Sequence, residues 1–316
     1  MVYVAGVTFM FIYNTANGIF TALGDSVTPL VLLIVSSVTN VVLDIVFVAP
    51  FLVDGGVIGA AWATFAAQGL SSLTALVLVL RRVSVLTTGD ERVALFDKRL
   101  FYRILRVAIP SVCQQSFVSV GQLFVQRSIN AFDTVVQSGY GGAFKINMFT
   151  ISCINTMGNA LSSFVAQNTG ASQWARIRQG RRTAMRMTLA FSAVVAVTVA
   201  LSAGLLMRMF SADAEVIGVG KQFLWTVCPF YVIITVKIIN DGVFRGVGSM
   251  KVFMFCTFFD LGIRVIASYV LPIFFGAAGI WWAFPLGWVS CTVLSALLYR
   301  FGKWTCAQEI RRVGLS

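Results

Sequence analysis

Residues 18–24 read GIFTALG and residues 242–248 read GVFRGVG, so two glycines and a phenylalanine recur at the same spacing, 224 residues apart. A second pair follows in the same order. Residues 56–63 read GVIGAAWA and residues 276–283 read GAAGIWWA, at an offset of 220 residues. Each block joins long apolar stretches, so the pattern predicts a duplicated membrane unit of the kind from which many two-halved membrane proteins are built.

The composition places the chain in the membrane. Hydrophobic residues make up 58% of the 316 residues, charged residues only 11%, and the mean hydropathy is +0.86. A soluble domain is about 45–50% apolar and about 25% charged. The apolar runs are too long for a transmembrane β-barrel and do not alternate. We therefore predict an all-α integral membrane protein, a multi-pass protein of the inner (cytoplasmic) membrane.

The apolar pattern predicts about nine transmembrane helices, since each crossing needs about 20 apolar residues. Glycine, proline and aspartate punctuate the breaks between them. The predicted spans are 2–23, 29–52, 57–80, 107–130, 135–160, 183–207, 218–244, 250–274 and 277–299.

The basic residues predict the orientation. Of the 24 lysines and arginines, 18 fall on the side of the membrane that holds the turn at Gly24, so this side is predicted to be cytoplasmic. The same rule accounts for the net charge of +12, and we do not expect nucleic-acid binding.

The position of the repeat predicts the domain organisation. If the last three spans copy the first three, a complete chain has twelve spans in two parallel halves, with three further spans before Met1. Residues 1–80 are then the last three helices of an N-lobe, 81–106 a cytoplasmic linker, 107–300 a six-helix C-lobe and 301–316 a cytoplasmic tail. The alternative is a genuine nine-span protein.

Several chemistries are disfavoured by what the sequence lacks. The chain has no histidine, and its six cysteines are scattered without a CxxC pair. The scattered cysteines and the lack of histidine argue against zinc sites and a disulfide framework. Histidine is also the commonest general base in enzymes, so its absence disfavours catalysis. We therefore expect no enzyme activity and no cofactor.

Six ordered motifs resemble those of the multidrug and toxic compound extrusion (MATE) family. They are Gly24-Asp25-Ser26 with Thr28-Pro29, Asn40 with Asp44, Gly59-Ala-Ala-Trp62, Pro110-Ser111 with Gln114-Gln115, Gln167-Asn168-Thr-Gly170, and Phe244-Arg245-Gly246 with Gly248. The resemblance covers the whole chain and implies twelve helices in two six-helix lobes, of which this chain corresponds to helices 4–12. It also implies efflux of cationic or amphiphilic compounds in exchange for sodium ions or protons. Some relatives in the wider superfamily flip lipid-linked sugars instead.

Asn40 and Asp44 are four residues apart on the second span, so they share one helix face. A carboxylate with amide and hydroxyl neighbours supplies the oxygen ligands that a hard cation needs, and a desolvated carboxyl can carry a proton instead. The resemblance supplies Thr64 as the hydroxyl. We predict a cation-coupling site in the N-lobe, with sodium as the metal ion on Asp44. The alternative is a carboxylate merely hydrated near the outer interface.

The predicted C-lobe carries a different set of intramembrane charges. Lys237, Asp241 and Arg245 share one face of the seventh span at successive steps of four residues. Asp260 and Arg264 share one face of the eighth. Folding the hairpin about residue 249 predicts that Lys237 pairs with Asp260. The alternatives are a structural network of buried charges or a proton-sensitive network coupled to transport.

Three further predictions concern the C-lobe. Lys145 either forms an ion pair with Asp241 or Asp260, or faces a cavity. Tyr231 resembles a tyrosine of a second-lobe site in some relatives, although Thr235 stands where an acidic partner is expected. A polar stripe on the fourth span lines either a cavity or a packing seam between helices. Its members are Gln114, Gln115, Gln122 and Gln126, and the first three are the candidate cavity residues.

The predicted function is multidrug efflux by ion-coupled antiport, with alternating access between two lobes. We expect small organic substrates, cationic or amphiphilic, contact with membrane lipid and a monomeric state. The alternatives are a flippase for lipid-linked oligosaccharides and a non-functional remnant of a transporter.

Overall fold

The fold is known from a computed structural model that describes residues 2–48, 56–86 and 96–301. All regular structure in these ranges is helical. The helices are α1 (Val2–Ala22), α2 (Val27–Val48), α3 (Gly56–Leu86), α4 (Lys98–Ile129), α5 (Thr134–Gly170), α6 (Trp174–Arg208), α7 (Ala214–Val227), α8 (Tyr231–Gly246), α9 (Met250–Phe275) and α10 (Ala277–Phe301).

Helices α7 and α8 follow each other through the short 3-10 turn Cys228–Phe230, so within the described ranges ten α-helices form nine long segments. Six segments meet the length and apolarity of a membrane span. They are α2, α3, the α7–α8 segment, α6, α9 and α10. The all-helical membrane fold with nine segments is therefore confirmed.

The chain divides into two compact units, residues 1–95 and residues 96–316. In the first unit, α3 packs against both α1 and α2. In the second, α5 packs against α6, α7 and α8, while α9 packs against α4 and α10. A buried aromatic cluster fills the core of the second unit, where the rings of Tyr140 and Trp281 stack with centroids 5.6 Å apart and Phe223 meets both edge-on.

The repeated glycines end two helices with the same turn. Gly24 and Gly248 have positive φ, at 85° and 77°, which a glycine adopts without the clash of a side chain. The amide after each glycine donates to the carbonyls of Phe20 and Phe244, at 2.9 and 2.8 Å. This is the hydrogen bonding of a Schellman helix end. The sequence repeat is therefore also a repeat of backbone conformation.

Asp25 explains a further part of the first motif. Its carboxylate accepts from the hydroxyl and the amide of Thr28, at 2.6 and 3.0 Å, and from the amide of Val27 at 3.1 Å. It thus satisfies amides that the first turn of α2 leaves without a partner. The hydroxyl of Thr28 is also the main reason why the pKa of Asp25 lies below its ordinary value.

The second repeated block produces a close approach of two helices in each copy. A Cβ at Gly59 would come within 2.3 Å of the carbonyl oxygen of Phe47, and one at Gly279 within 2.4 Å of the carbonyl carbon of Leu271. The two contacted residues are themselves 224 positions apart. Both hairpins, α2 with α3 and α9 with α10, are therefore held at backbone contact by an equivalent glycine.

The predicted seventh span, 218–244, is not one continuous α-helix. It begins at Ala214, breaks at Cys228–Phe230 and continues to Gly246. Pro229 lacks an amide hydrogen, and its ring clashes with the carbonyl of a preceding turn, which accounts for the break.

The helices also run further than the apolar pattern predicts around the linker. Helix α3 continues to Leu86 and α4 begins at Lys98, so both ends of the predicted linker 81–106 are helical. Asp97 caps α4 by accepting from the amides of Arg99 and Leu100. The remaining linker residues 87–95 and the predicted tail from residue 302 lie outside the described residues, as does the predicted first residue of the N-lobe, Met1.

Candidate functional site

A cavity of about 410 Å³ opens between α4, α5, α8, α9 and α10 of the second unit. Its wall holds five charged side chains, several amides and a few aromatic rings. The polar and charged members are Gln114, Gln115, Gln122, Asn147, Asn155, Asn159, Lys237, Asp241, Arg245, Thr257, Asp260 and Arg264. Because α8 and α9 both leave the turn at residue 249, Lys237 and Asp260 lie about 17–18 Å from that turn, close to the middle of a bilayer core about 30 Å thick.

Two ion pairs lie in this cavity, each within one helix. The Lys237 ammonium is 3.0 Å from the carboxylate of Asp241 on α8, and the Arg264 guanidinium is 3.0 Å from the carboxylate of Asp260 on α9. The predicted pairing of Lys237 with Asp260 across the hairpin is therefore wrong. Partners at i and i+4 lie one helical turn apart, so they meet without any movement of the two helices.

Both carboxylates keep one oxygen without a partner. Oδ1 of Asp241 and Oδ1 of Asp260 are buried and accept no hydrogen bond in the part of the chain that the structure describes. Gly287 on α10 makes room for the second of these oxygens, since a Cβ there would lie 2.7 Å from it. Buried oxygens of this kind favour an ion, a proton or a polar ligand in the cavity.

Arg245 completes the charged wall, one turn beyond Asp241 on α8. Its guanidinium lies over the Phe253 ring at 5.3 Å, and that of Arg264 lies over the Phe284 ring at 5.5 Å. Aromatic rings can hold organic cations by cation–π contact, but at these two rings the chain's own arginines make that contact.

Two residues of the predicted charge network lie elsewhere. Lys145 is exposed, and its ammonium is 5.8 Å from the centre of the Phe210 ring, beyond the end of α6. It lines no part of this cavity and forms no ion pair with either aspartate among the described residues, and its long side chain reaches the end of the unit instead. Tyr231 is fully buried behind the cavity, where it donates to Oδ1 of Asn147 at 3.1 Å and its ring lies 6.0 Å from that of Trp288, so it contacts the cavity through these two wall residues.

The glutamines at 114, 115 and 122 line the cavity, so three members of the predicted stripe of α4 lie on its wall, whereas Gln126 donates to Asn130 instead. The sequence analysis missed the amides of α5 as a group. Asn155 and Asn159 are four residues apart on the same helix face, and this spacing was the available signal.

A polar contact beside the cavity joins three helices. Arg181 on α6 donates through Nε and Nη2 to Oδ1 of Asn240 on α8, at 3.0 and 2.8 Å. The same guanidinium lies over the Tyr299 ring of α10 at 3.7 Å. Because Asn240 precedes Asp241, this contact fixes the turn of α8 that carries the aspartate.

We expect Arg181→Lys to lower the free energy of unfolding by about 1–3 kcal/mol, since a lysine cannot make the forked hydrogen bond and the flat stacking contact together. Thermal unfolding of the purified chain in detergent, followed by tryptophan fluorescence, measures the change. Arg182→Lys, at the exposed neighbouring position, is the matched control and should leave the midpoint unchanged. Equal midpoints for both variants would contradict the role assigned to Arg181.

The predicted N-lobe site lies in the first unit. Phe47 on α2 meets Gly59 on α3, and the antiparallel hairpin then brings Asp44 and Thr64 to within a turn or so of that contact. The hydroxyl of Thr64 donates to the carbonyl of Ala60 at 3.0 Å, which leaves its lone pairs available. Oδ1 of Asp44 is buried without a partner. This donor set fits a cation on Asp44, with Asn40 one turn away on the same helix.

A family model described as MatE matches residues 110–270. The chain belongs to the MATE family. The predicted resemblance is confirmed, and so is its place as a multi-pass protein of the inner membrane, which follows from the helical spans and the bacterial relatives.

The MATE chain is similar to two curated bacterial proteins and to a solved structure. It is 25% identical to the "Probable multidrug resistance protein YpnP" of Bacillus subtilis over 95% of this chain and 66% of that protein. It is 20% identical to the "Multidrug export protein MepA" of Staphylococcus saprophyticus over 88% of this chain and 60% of that protein. The chain spans about two thirds of the length of these relatives.

Among solved structures, a MOP superfamily transporter from Pyrococcus furiosus superposes with a TM-score of 0.85 at 22% identity, over 96% of this chain and 69% of that one. Its binding pocket is described as having a reverse polarity that suggests a different function. At this identity the likeness shows the fold, and it supports the helical arrangement described above.

Proposed function

We propose that this MATE chain takes part in the export of small organic compounds across the inner membrane, driven by exchange for sodium ions or protons. The observation that carries this proposal is the charged and amide-lined cavity of the second unit, in a chain whose curated relatives are named for multidrug resistance or export. Cavities with polar groups near the middle of the membrane are where secondary transporters bind their substrates. The family consists of transporters, so we propose no enzyme activity, and we propose that the chain works as a monomer in contact with lipid.

The proposed coupling residue is Asp44 on α2. One of its carboxylate oxygens is buried and unpartnered, and such an oxygen is stabilised when it binds a proton or a sodium ion. Asn40 and Thr64 would supply the further oxygens that sodium needs. Export follows if the coupling ion and the compound stabilise conformations that open to opposite sides of the membrane.

The experiment uses the whole chain in inside-out vesicles from cells that lack other drug efflux pumps. We expect uptake of a fluorescent dye, either the cation ethidium or the anion sulforhodamine B, to need an imposed sodium gradient or an imposed pH gradient, and the gradient that works identifies the coupling ion. Asp44→Asn keeps the size of the side chain but cannot be charged, so it should reduce ion-driven uptake to the level of vesicles without the protein.

Asp213→Asn is the matched control, because Asp213 lies in an exposed loop where it caps α7. It should transport like the unmodified chain. Gradient-driven uptake by the Asp44→Asn variant would overturn the assignment of the coupling residue. A properly inserted unmodified chain that moves no compound would overturn the proposed function and favour the non-functional remnant. The relatives' names do not favour the flippase.

A further inference from the structure

We infer that the cavity of the second unit binds an anionic group of the compound that the chain transports, such as a carboxylate, a sulfonate or a phosphate. The inference rests on the proposed transport function, because it names the charge of the compound that this cavity takes. It differs from the cationic substrates predicted by resemblance to the family.

The charges of the cavity wall do not balance. Three cationic side chains meet only two carboxylates there, Asp241 and Asp260, and each carboxylate already pairs with a cation of its own helix. Arg245 forms no ion pair among the residues that the structure describes. The wall therefore carries a residual positive charge.

The rest of the second unit supplies no carboxylate to cancel that charge. Its other acidic residues within residues 96–301 lie at the beginnings of α4, α5 and α7, where three of them cap the helices. They are Asp97, Asp133, Asp213 and Glu215. An uncompensated charge at membrane depth is unfavourable, and a bound anion would compensate it.

Arg245 has the geometry for such an anion. Its Nε is buried and donates to nothing in the described chain, while the ring of Phe253 supports the guanidinium from one side. A guanidinium presents donors in a planar fork that matches carboxylate, sulfonate and phosphate oxygens. Arg245 lies four residues from the turn at 249, about 6 Å along the helix, at the side predicted to be cytoplasmic. A compound that enters from the cytoplasm would meet it before the two ion pairs.

The amides of the remaining wall can also contact an anion. Gln114, Gln122, Asn155 and Asn159 can turn their amide hydrogens towards bound oxygens. The rings of Phe253 and Phe284, which could attract an organic cation, already carry the arginine contacts. The anionic group could belong to a free organic compound or to the headgroup of a lipid, and both share this chemistry.

The test compares two dyes with the same xanthene ring system and opposite charge, sulforhodamine B and rhodamine 6G. The whole chain is placed in nanodiscs of phosphatidylcholine, and binding is measured by fluorescence anisotropy. We expect sulforhodamine B to bind at least about tenfold more tightly than rhodamine 6G, because charge of the wrong sign is excluded from a charged site. Raising the salt concentration should weaken the binding of the anionic dye.

Arg245→Gln should weaken sulforhodamine B binding at least about tenfold, because it removes the charge that pairs with the anion. Arg245→Lys keeps the charge but loses the planar fork, so it should weaken binding less than Arg245→Gln does. Binding that is retained in this variant shows that a substitution at position 245 does not prevent folding. Arg182→Gln removes an exposed charge of α6 outside the cavity and should leave binding unchanged.

Repeating the measurement with phosphatidylglycerol in the nanodiscs distinguishes the two sources. Competition by this anionic lipid assigns the site to a headgroup, and unchanged binding assigns it to a free organic anion. Both outcomes support an anion site. Preferential binding of rhodamine 6G, or equal sulforhodamine B binding by the unmodified chain and Arg245→Gln, would overturn it. These outcomes concern binding, so they are independent of whether the vesicles show gradient-driven transport.

Discussion

Replacing Gly242 with alanine should lower the free energy of unfolding by about 3 kcal/mol, or prevent the recovery of folded protein. A Cβ at this position on α8 would lie 2.5 Å from the carbonyl oxygen of Gly158 on α5. Both groups are backbone at the crossing of two long helices, so no side-chain rotation can relieve the overlap. The helices would have to move apart, and the contacts along the whole crossing would be lost.

The measurement is the yield of monodisperse protein after detergent extraction, together with the midpoint of thermal unfolding. Gly262→Ala on α9 is the matched control, because nothing lies within 4 Å of a Cβ there. It should be neutral or raise the midpoint, since alanine is the better helix former. If both variants unfold at the same temperature, the α5–α8 crossing is not as close as described.

Replacing Asp260 with alanine should also be strongly destabilising, by about 3–5 kcal/mol, the usual effect of removing one member of a buried ion pair. Arg264 is only 8% exposed, and the loss of its partner at 3.0 Å would leave its charge facing the Phe284 ring and the empty part of the cavity. Chemical unfolding in nanodiscs, followed by tryptophan fluorescence, measures the effect, since Trp288 lies in the cavity wall.

The double variant Asp260→Leu with Arg264→Met removes both charges and should lose less stability than Asp260→Ala alone. A double-mutant cycle should give a larger coupling energy between Asp260 and Arg264 than between Asp260 and Lys237, since only the first pair is in contact. A loss of less than about 1 kcal/mol in the single variant, as for an exposed pair, would contradict the burial described here.

The sequence was sufficient to predict features that depend on local chemistry. Gly24 and Gly248 occupy equivalent places in the sequence repeat. In the structure both end a helix with the same backbone turn, because this helix end needs a residue that tolerates positive φ. The number of helical segments followed from the lengths of the apolar runs, which the thickness of the membrane sets.

The sequence was not sufficient where neighbours in space decide the outcome. Lys237 and Asp260 were predicted to lie at the same depth in the membrane, because they are nearly equally far from the turn at residue 249. The sequence does not give the directions in which their side chains leave the two helices. The pairs within each helix therefore formed instead. Lys145 was predicted either to pair with one of the aspartates or to face a cavity, and its flexible side chain extends towards Phe210. The roles of Asn40, Asp44 and Thr64 remain predictions, because they depend on an ion that geometry alone does not identify.

The joint between α9 and α10 has a consequence for the order in which the protein folds. A single residue, Gly276, separates the two helices, and Gly279 lets them touch at backbone distance immediately beyond it. Contacts between such near neighbours in sequence cost little chain entropy and form early. The pair can therefore close as one hairpin before its contacts with more distant helices form. Gly59 allows the same close approach between α2 and α3, so each copy of the repeat contains a helical hairpin that can form locally.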